Sequence, residues 1–96
     1  MIIVTGRIQA RAGSLDELRT AALAHVRRSR TEPGCISHGV AVDCEDPMTL
    51  VFFECCSDRA TLEADFRAPG SAEFVAAVRR LASASAGPEL YDASPA

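Results

Sequence analysis

Stretches of β-branched or alternating residues are separated along this chain by stretches of helical spacing. The run Ile2-Ile3-Val4-Thr5-Gly6-Arg7-Ile8-Gln9 is rich in β-branched residues and predicts a strand over 2–9. Gly6 in its middle leaves a gap where another group can approach the backbone. After the turn Arg11-Ala12-Gly13, Ser14-Leu15-Asp16-Glu17 has the S-x-x-E form of a capping box and marks a helix start. Leu15, Leu18, Ala22 and Val26 recur near helical spacing, which predicts a helix over 15–30 with one apolar face. Arg27, Arg28 and Arg30 crowd its far end, where cations complement the helix dipole. Glu32-Pro33-Gly34 stops it.

Residues 35–43 alternate, with Ile36, His38, Val40 and Val42 on one face, and predict a second strand. Glu45-Asp46-Pro47 turns the chain into a third strand, Thr49 to Cys56, whose inward set is Leu50, Phe52, Glu54 and Cys56. The short connection makes these two strands an antiparallel hairpin. Ser57 or Asp58 caps a helix over 59–66 with Leu62 and Phe66 inward, and Ala68-Pro69-Gly70 breaks it. A third helix is predicted from Ser71 to about residue 85 on the stripe Phe74, Val75, Val78, Leu81 and Ala82. Gly87-Pro88 ends it, and Glu89 to Asp92 forms a short last strand. The order β-α-β-β-α-β, with its second helix broken, is the ferredoxin-like α+β pattern. Its helices segregate to one face of an antiparallel sheet. The other face, with Ile3, Thr5, Val51 and Phe53, is too apolar for solvent, and no segment remains to cover it. A second copy of the sheet does so most economically, which predicts a homodimer.

Ninety-six residues make one domain, 1–96, in which 92–96 are expected to form a frayed tail. The net charge is −3 and all ten basic residues are arginine, so no nucleic-acid partner is expected, because phosphate contacts need a basic face. A lysine-free chain rich in Ala and Arg reads as the codon bias of a GC-rich bacterial genome. No apolar run exceeds a few residues, which excludes a membrane-spanning helix. The start Met1-Ile2-Ile3-Val4 has no signal-peptide pattern, and a cytoplasmic protein without a membrane partner is expected. Cys35, Cys44, Cys55 and Cys56 form no C-x-x-C and stand at no zinc-ligand spacing from His25 or His38, so four reduced thiols are expected and no metal.

Glu32-Pro33-Gly34-Cys35-Ile36, the hairpin, Phe53-Glu54-x-x-Ser57-Asp58-x-x-x-Leu62 and Ala68-Pro69-Gly70-Ser71-x-x-Phe74 occur in an order and spacing that resembles the antibiotic biosynthesis monooxygenase family, over nearly the whole chain. The resemblance implies a dimeric α+β barrel with a pocket between sheet and helices in each protomer. In some members it implies oxidation of anthrone-like phenols or quinols by O₂ without metal or flavin, hence no cofactor. Within that pattern Glu54 keeps the family's glutamate. His38 stands where many members carry an aromatic, Cys56 where many carry Trp, and Asp65 and Gly70 where His is common. The haem-degrading relatives use a Trp and an axial His in that region.

Oxygenation without a cofactor needs a base, an oxyanion donor and a dry apolar pocket. His38 is the best base by residue type. Glu54 could orient it or act itself if burial raises its pKa, and Asp65 is a third titratable candidate. These three are the candidate catalytic residues. Ile36, Phe52, Cys56, Phe66 and Phe74 are the expected pocket, Cys56 enlarging it where an aromatic is lost. Structural readings stand beside these. His38 could be a satisfied core histidine, Glu54 an ion-pair partner of Arg59 or Arg67, and Asp65 an exposed helix residue. His25 is expected on the solvated side of its helix, Arg27-Arg28-x-Arg30 as a charged helix end, and Arg7 facing away from the pocket. The reading is a cofactor-independent monooxygenase acting on a small aromatic polyphenol or quinol. Its rivals are a non-oxidative isomerase on the same barrel and a non-catalytic ligand-binding module.

Overall fold

The computed structural model describes residues Met1–Ala96. Its elements are β1 (Ile2–Ala10), α1 (Leu15–Ser29), β2 (Cys35–Val42), β3 (Thr49–Cys56), α2 (Arg59–Arg67), α3 (Pro69–Leu81) and β4 (Ala82–Asp92). The strands form one antiparallel sheet in the order β2-β3-β1-β4. β3 lies between β1 and β2, the split βαβ arrangement of the ferredoxin-like class expected from the sequence.

The inward face is set by β1 and β3, which pair Ile8 with Leu50, Gly6 with Phe52, Val4 with Glu54 and Ile2 with Cys56. Ile8, Ala10, Leu50 and Phe52 pack with Leu18, Ala22 and Val26 of α1 and with Leu81 of α3. Ile2, Val4 and Cys56 pack with Leu62 of α2 as a second, smaller cluster. Glu54 sits on β3 between the residues of the two clusters, with His38 beside it on β2. A polar layer thus separates two apolar ones.

Local details depart from the sequence reading in three places, and a fourth settles an open choice. Ser14 precedes α1 but its side chain makes no cap bond, so the capping box does not form; the Leu18 amide is bonded instead to the Ser14 carbonyl, at 2.9 Å. Of the two candidates for the α2 cap, Asp58 takes the role, accepting from the Thr61 amide at 2.8 Å. α3 begins at Pro69 rather than Ser71, because proline is tolerated at the first helical position, where its missing N–H has no partner to lose. It ends at Leu81 rather than near residue 85. Ala82–Ser85 are extended and pair with β1, Ala84 opposite Gln9 and Ser85 opposite Ile8. The weak preferences of an Ala/Ser run yield here to a free strand edge.

The register between β1 and β4 shifts between Thr5 and Arg7, where Gly87 has φ +95° and a Cβ on it would lie 2.8 Å from the Thr5 carbonyl oxygen. The gap expected at Gly6 is therefore approached by β4 itself. The opposite face of the sheet is uncovered by any part of the chain: Phe53 is 51% and Tyr91 49% exposed, with Ile3, Thr5 and Val51 partly so.

Candidate active site

α1 carries more than its apolar stripe. Leu18, Ala22, Val26 and Ser29 are its buried positions, and the same face brings His25 against the rings of His38 and Phe74. Between this face, the inward side of β1 and β3, helices α2 and α3, and β4 lies a cavity of about 400 Å³. Its apolar wall includes Val4, Ile8, Phe52, Phe66, Phe74 and Val78, and its polar end holds His25, His38, Glu54 and Asp65. Gly6 lies on the wall as well. On the inward face of β1 it offers no side chain, and that absence leaves room for the cavity.

Ser29, 1% exposed, is the hub of the polar end. Its Oγ is 3.0 Å from Glu54 Oε2 and 2.9 Å from His38 Nδ1, and the imidazole and carboxylate are themselves 3.4 Å apart. The serine hydroxyl carries one proton and an ionised carboxylate only accepts. With Glu54 ionised, Ser29 therefore donates to Glu54, and His38 Nδ1–H donates to Ser29 Oγ. The imidazole is then neutral with its lone pair on Nε2. Burial drives the His38 pKa down to about 4, helped by neighbouring His25. Burial and the Asp65 carboxylate raise that of Glu54. Arg30 holds the strand in place by donating from Nε to the His38 carbonyl at 2.8 Å.

A second network adjoins the first. Arg28 reaches Glu32 at 2.5 Å, His25 Nδ1 at 2.9 Å, Ser71 Oγ at 3.3 Å and Asp65 Oδ1 at 3.8 Å. Gly70 makes the path possible, since a Cβ there would fall 2.1 Å from the Arg28 side chain. Burial and the facing Asp65 carboxylate lift the Glu32 pKa to about 7, although the Arg28 pair opposes the shift. Asp65 is buried, and its Oδ1 has no hydrogen-bond partner.

His38, Glu54, Asp65, Phe52, Phe66 and Phe74 are all on the cavity wall. Ile36 and Cys56 are not. A bulge between Cys35 and Ser37 makes Ile36 the extra residue in the β2–β3 register, so Cys35 faces Cys56 and Ile36 is left 58% exposed. Cys56 packs into the smaller apolar cluster, and burial beside Glu54 pushes its thiol up to about 12, which keeps it protonated and unreactive. Asp65 is not an exposed helix residue, and Glu54 makes no ion pair with Arg59 or Arg67. His25 turns to the cavity rather than to solvent, and Arg28 is drawn into the network rather than left as a charged helix end. Sequence reasoning missed Ser29, His25 and Arg28. The signal was available for two of them: positions 25 and 29 continue the 18-22-26 stripe at helical spacing. No three His, Cys, Asp or Glu side chains gather in a way that could hold a metal ion.

Residues 1–77 match the family model described as antibiotic biosynthesis monooxygenase. An uncharacterized protein of Synechocystis sp. is 34% identical over 74 residues, 77% of this chain and 50% of that protein. The chain thus spans about half the length of the curated relative it matches. A Deinococcus radiodurans structure described as of the antibiotic biosynthesis monooxygenase type superposes with a TM-score of 0.94 at 23% identity, over 100% of this chain and 95% of that one. Rv0793 from Mycobacterium tuberculosis superposes with a TM-score of 0.87 at 22% identity, over 99% and 96%. At these identities the likeness of the structures concerns the fold.

Proposed function

The chain belongs to the antibiotic biosynthesis monooxygenase family, and from that premise we propose that it is a cofactor-independent monooxygenase oxidising a small aromatic polyphenol or quinol with O₂. Members of the family are commonly dimeric small-molecule binders, and the proposed working form is a cytoplasmic homodimer joined through the uncovered sheet face. The observation that carries the reading is the His38–Ser29–Glu54 chain at the end of an apolar cavity.

A quinol or phenol becomes a good electron donor to O₂ only once deprotonated. In the proposed reaction the substrate hydroxyl gives its proton to His38 Nε2. The His38 Nδ1 proton passes to Ser29 Oγ, and the Ser29 proton passes to Glu54 Oε2. One O–H bond breaks on the substrate, one forms on Glu54, and the imidazole ends neutral with its tautomer reversed. This route suits a histidine whose pKa burial lowers to about 4 and a glutamate whose pKa burial raises, because no buried imidazolium has to persist. The substrate anion then passes an electron to O₂. Recombination of the two radicals gives a peroxide anion, which takes the proton back from Glu54 along the same relay to become a hydroperoxide, and loss of water leaves one oxygen atom in the product and one in water. The apolar wall excludes solvent from these species.

Oxygen uptake by the purified, metal-stripped protein on anthrones, naphthoquinols and catechols tests the reading, with His38→Ala in parallel. The expected result is uptake stoichiometric with oxidised product that falls at least about tenfold in the variant, the low end of a general-base contribution. Uptake no faster than autoxidation, or undiminished in His38→Ala, overturns it. The reversible character of the relay favours one alternative, an isomerase in which Glu54 returns the proton to a different substrate atom. Solvent deuterium incorporation without oxygen uptake identifies that reaction.

A further inference from the structure

The cavity holds both histidines of the chain, and each has its Nδ1 already engaged by a different network. We propose that Arg28 and Ser29 hold them in opposite tautomers, so that His38 presents an Nε2 acceptor beside an Nε2–H donor from His25, a pair that receives a ligand carrying a hydroxyl next to a second oxygen.

The donors around His25 fix its tautomer. A guanidinium has five N–H donors and no acceptor. Arg28 lies 2.9 Å from His25 Nδ1, so that nitrogen accepts and the proton of a neutral ring must be on Nε2. For His38 the order is reversed. Ser29 gives its only proton to Glu54, so His38 Nδ1 donates and Nε2 holds the lone pair. Packing fixes both rings. His25 stacks on Phe74 with centroids 4.2 Å apart and planes within 7°, and it meets His38 edge to face, 5.4 Å between centroids at 85°. The two rings make no hydrogen bond to each other, which leaves donor and acceptor free for a ligand. A phenol with a neighbouring ether, hydroxyl or carbonyl oxygen satisfies this set: its hydroxyl donates to His38 and its second oxygen accepts from His25. When the hydroxyl is deprotonated, the His25 N–H remains to stabilise the resulting negative charge. His25 is thus a catalytic residue and Arg28 its positioning residue. The ligand class rests on the cavity being the site of the proposed function; the tautomers do not.

Nitrogen-15 correlation spectra of the imidazole rings at about pH 8, above the ordinary carboxylate and histidine ranges, read each tautomer directly. Only two rings contribute. The expected pattern is protonated Nδ1 and bare Nε2 for His38, and the reverse for His25. Two rings in the same tautomer, or either one charged, overturn the proposal. Arg28→Met is expected to turn His25 into a mixture of tautomers and leave His38 unchanged, whereas a purely structural Arg28 changes both rings or neither. Titration with guaiacol, a phenol with a methoxy oxygen beside its hydroxyl, is expected to move both Nε2 signals on one saturation curve. Its fully methylated analogue is expected to leave His38 Nε2 in place. Guaiacol moving one signal alone, or neither up to its solubility limit, overturns the ligand assignment. Failure of oxygen uptake with these ring states intact rejects the oxygenase reading and leaves the donor–acceptor pair standing.

Discussion

Phe53 and Glu54 are neighbours on β3, yet the aromatic is 51% exposed and the carboxylate 4%. The contrast runs through the two faces of the sheet. On the inner face the buried polar side chains are joined in networks, the Glu54, Ser29 and His38 chain and the Arg28 network, with Asp65 Oδ1 alone lacking a hydrogen bond. On the outer face Phe53, Tyr91, Ile3 and Val51 have no covering element from their own chain. Hydropathy alone would exchange the two residues. An ionisable group stays buried only where partners offset its lost hydration, and an apolar one stays exposed only where something outside the protomer is to meet it. The inner face encloses a cavity, and the outer face leaves a row of apolar residues uncovered.

The largest effect is expected from making the outer face resemble the inner one without its partners. Phe53→Asp places an unpaired carboxylate where two sheets are proposed to meet, and burying it costs several kcal/mol. The dimer dissociation constant is expected to rise by at least about 100-fold, as each tenfold corresponds to about 1.4 kcal/mol. Light scattering at micromolar concentration measures it. A wild-type protein that is already monomeric removes the sheet-to-sheet pairing from consideration.

The inner face is sharpened at Gly6. A Cβ added there meets only the Ala86 carbonyl oxygen, at an ordinary 3.6 Å, so the backbone can keep its place while a larger side chain fills the cavity. Gly6→Val is expected to lower guaiacol binding or substrate turnover at least about tenfold, a change of about 1.4 kcal/mol, with little change in melting temperature. Undiminished binding would move the ligand site elsewhere.

The smallest net effect is expected from a pH dependence carried by the buried pair, because its two members oppose each other. The folded pKa of His38, about 4, lies below the unfolded 6.5. Between those values the unfolded chain holds more protons, so this contribution to stability rises with pH across the window and amounts to about 3 kcal/mol at most. Glu54 opposes it. Its folded pKa is raised above 4.5, so its contribution falls as pH rises through and above that value. Urea unfolding at a series of pH values is expected to show stability climbing from pH 4 to 6.5 in the wild type and less steeply in His38→Asn. Equal slopes would mean that the buried imidazole is not the group that titrates.

Much of this molecule was legible before its structure. The alternation in 35–43 and 49–56 and the helical spacing from Leu15 to Val26 are local signals that correspond to observed elements, Pro33-Gly34 lies between two of them, and Pro69 marks a helix boundary as the first residue of α3. The inward set Leu50, Phe52, Glu54 and Cys56 followed from the two-residue period of a strand, and all four are buried. Residues 82–85 were not legible, because their pairing partners on β1 lie more than seventy positions away. Ile36 failed for a related reason. A bulge is a property of two strands in register, and one extra residue inverts the facing of everything before it. Ser29 and Arg28 were missed because a serine at the end of a helical stripe and an arginine at a helix end have ordinary explanations nearby in sequence.

The sequence by itself determined the class of fold, the inner and outer faces of the sheet, and the position of a histidine and a glutamate on the inner one. Periodicity and turn chemistry act within a few residues, and these features depend on nothing longer. Only the tertiary structure decided that Ser29 joins His38 to Glu54 and that Asp65 is inside. It also decided that β4 closes the cavity beside Gly6. Those contacts link residues far apart in the chain, and their energies depend on distance, burial and the proton each partner can give, which no local pattern encodes.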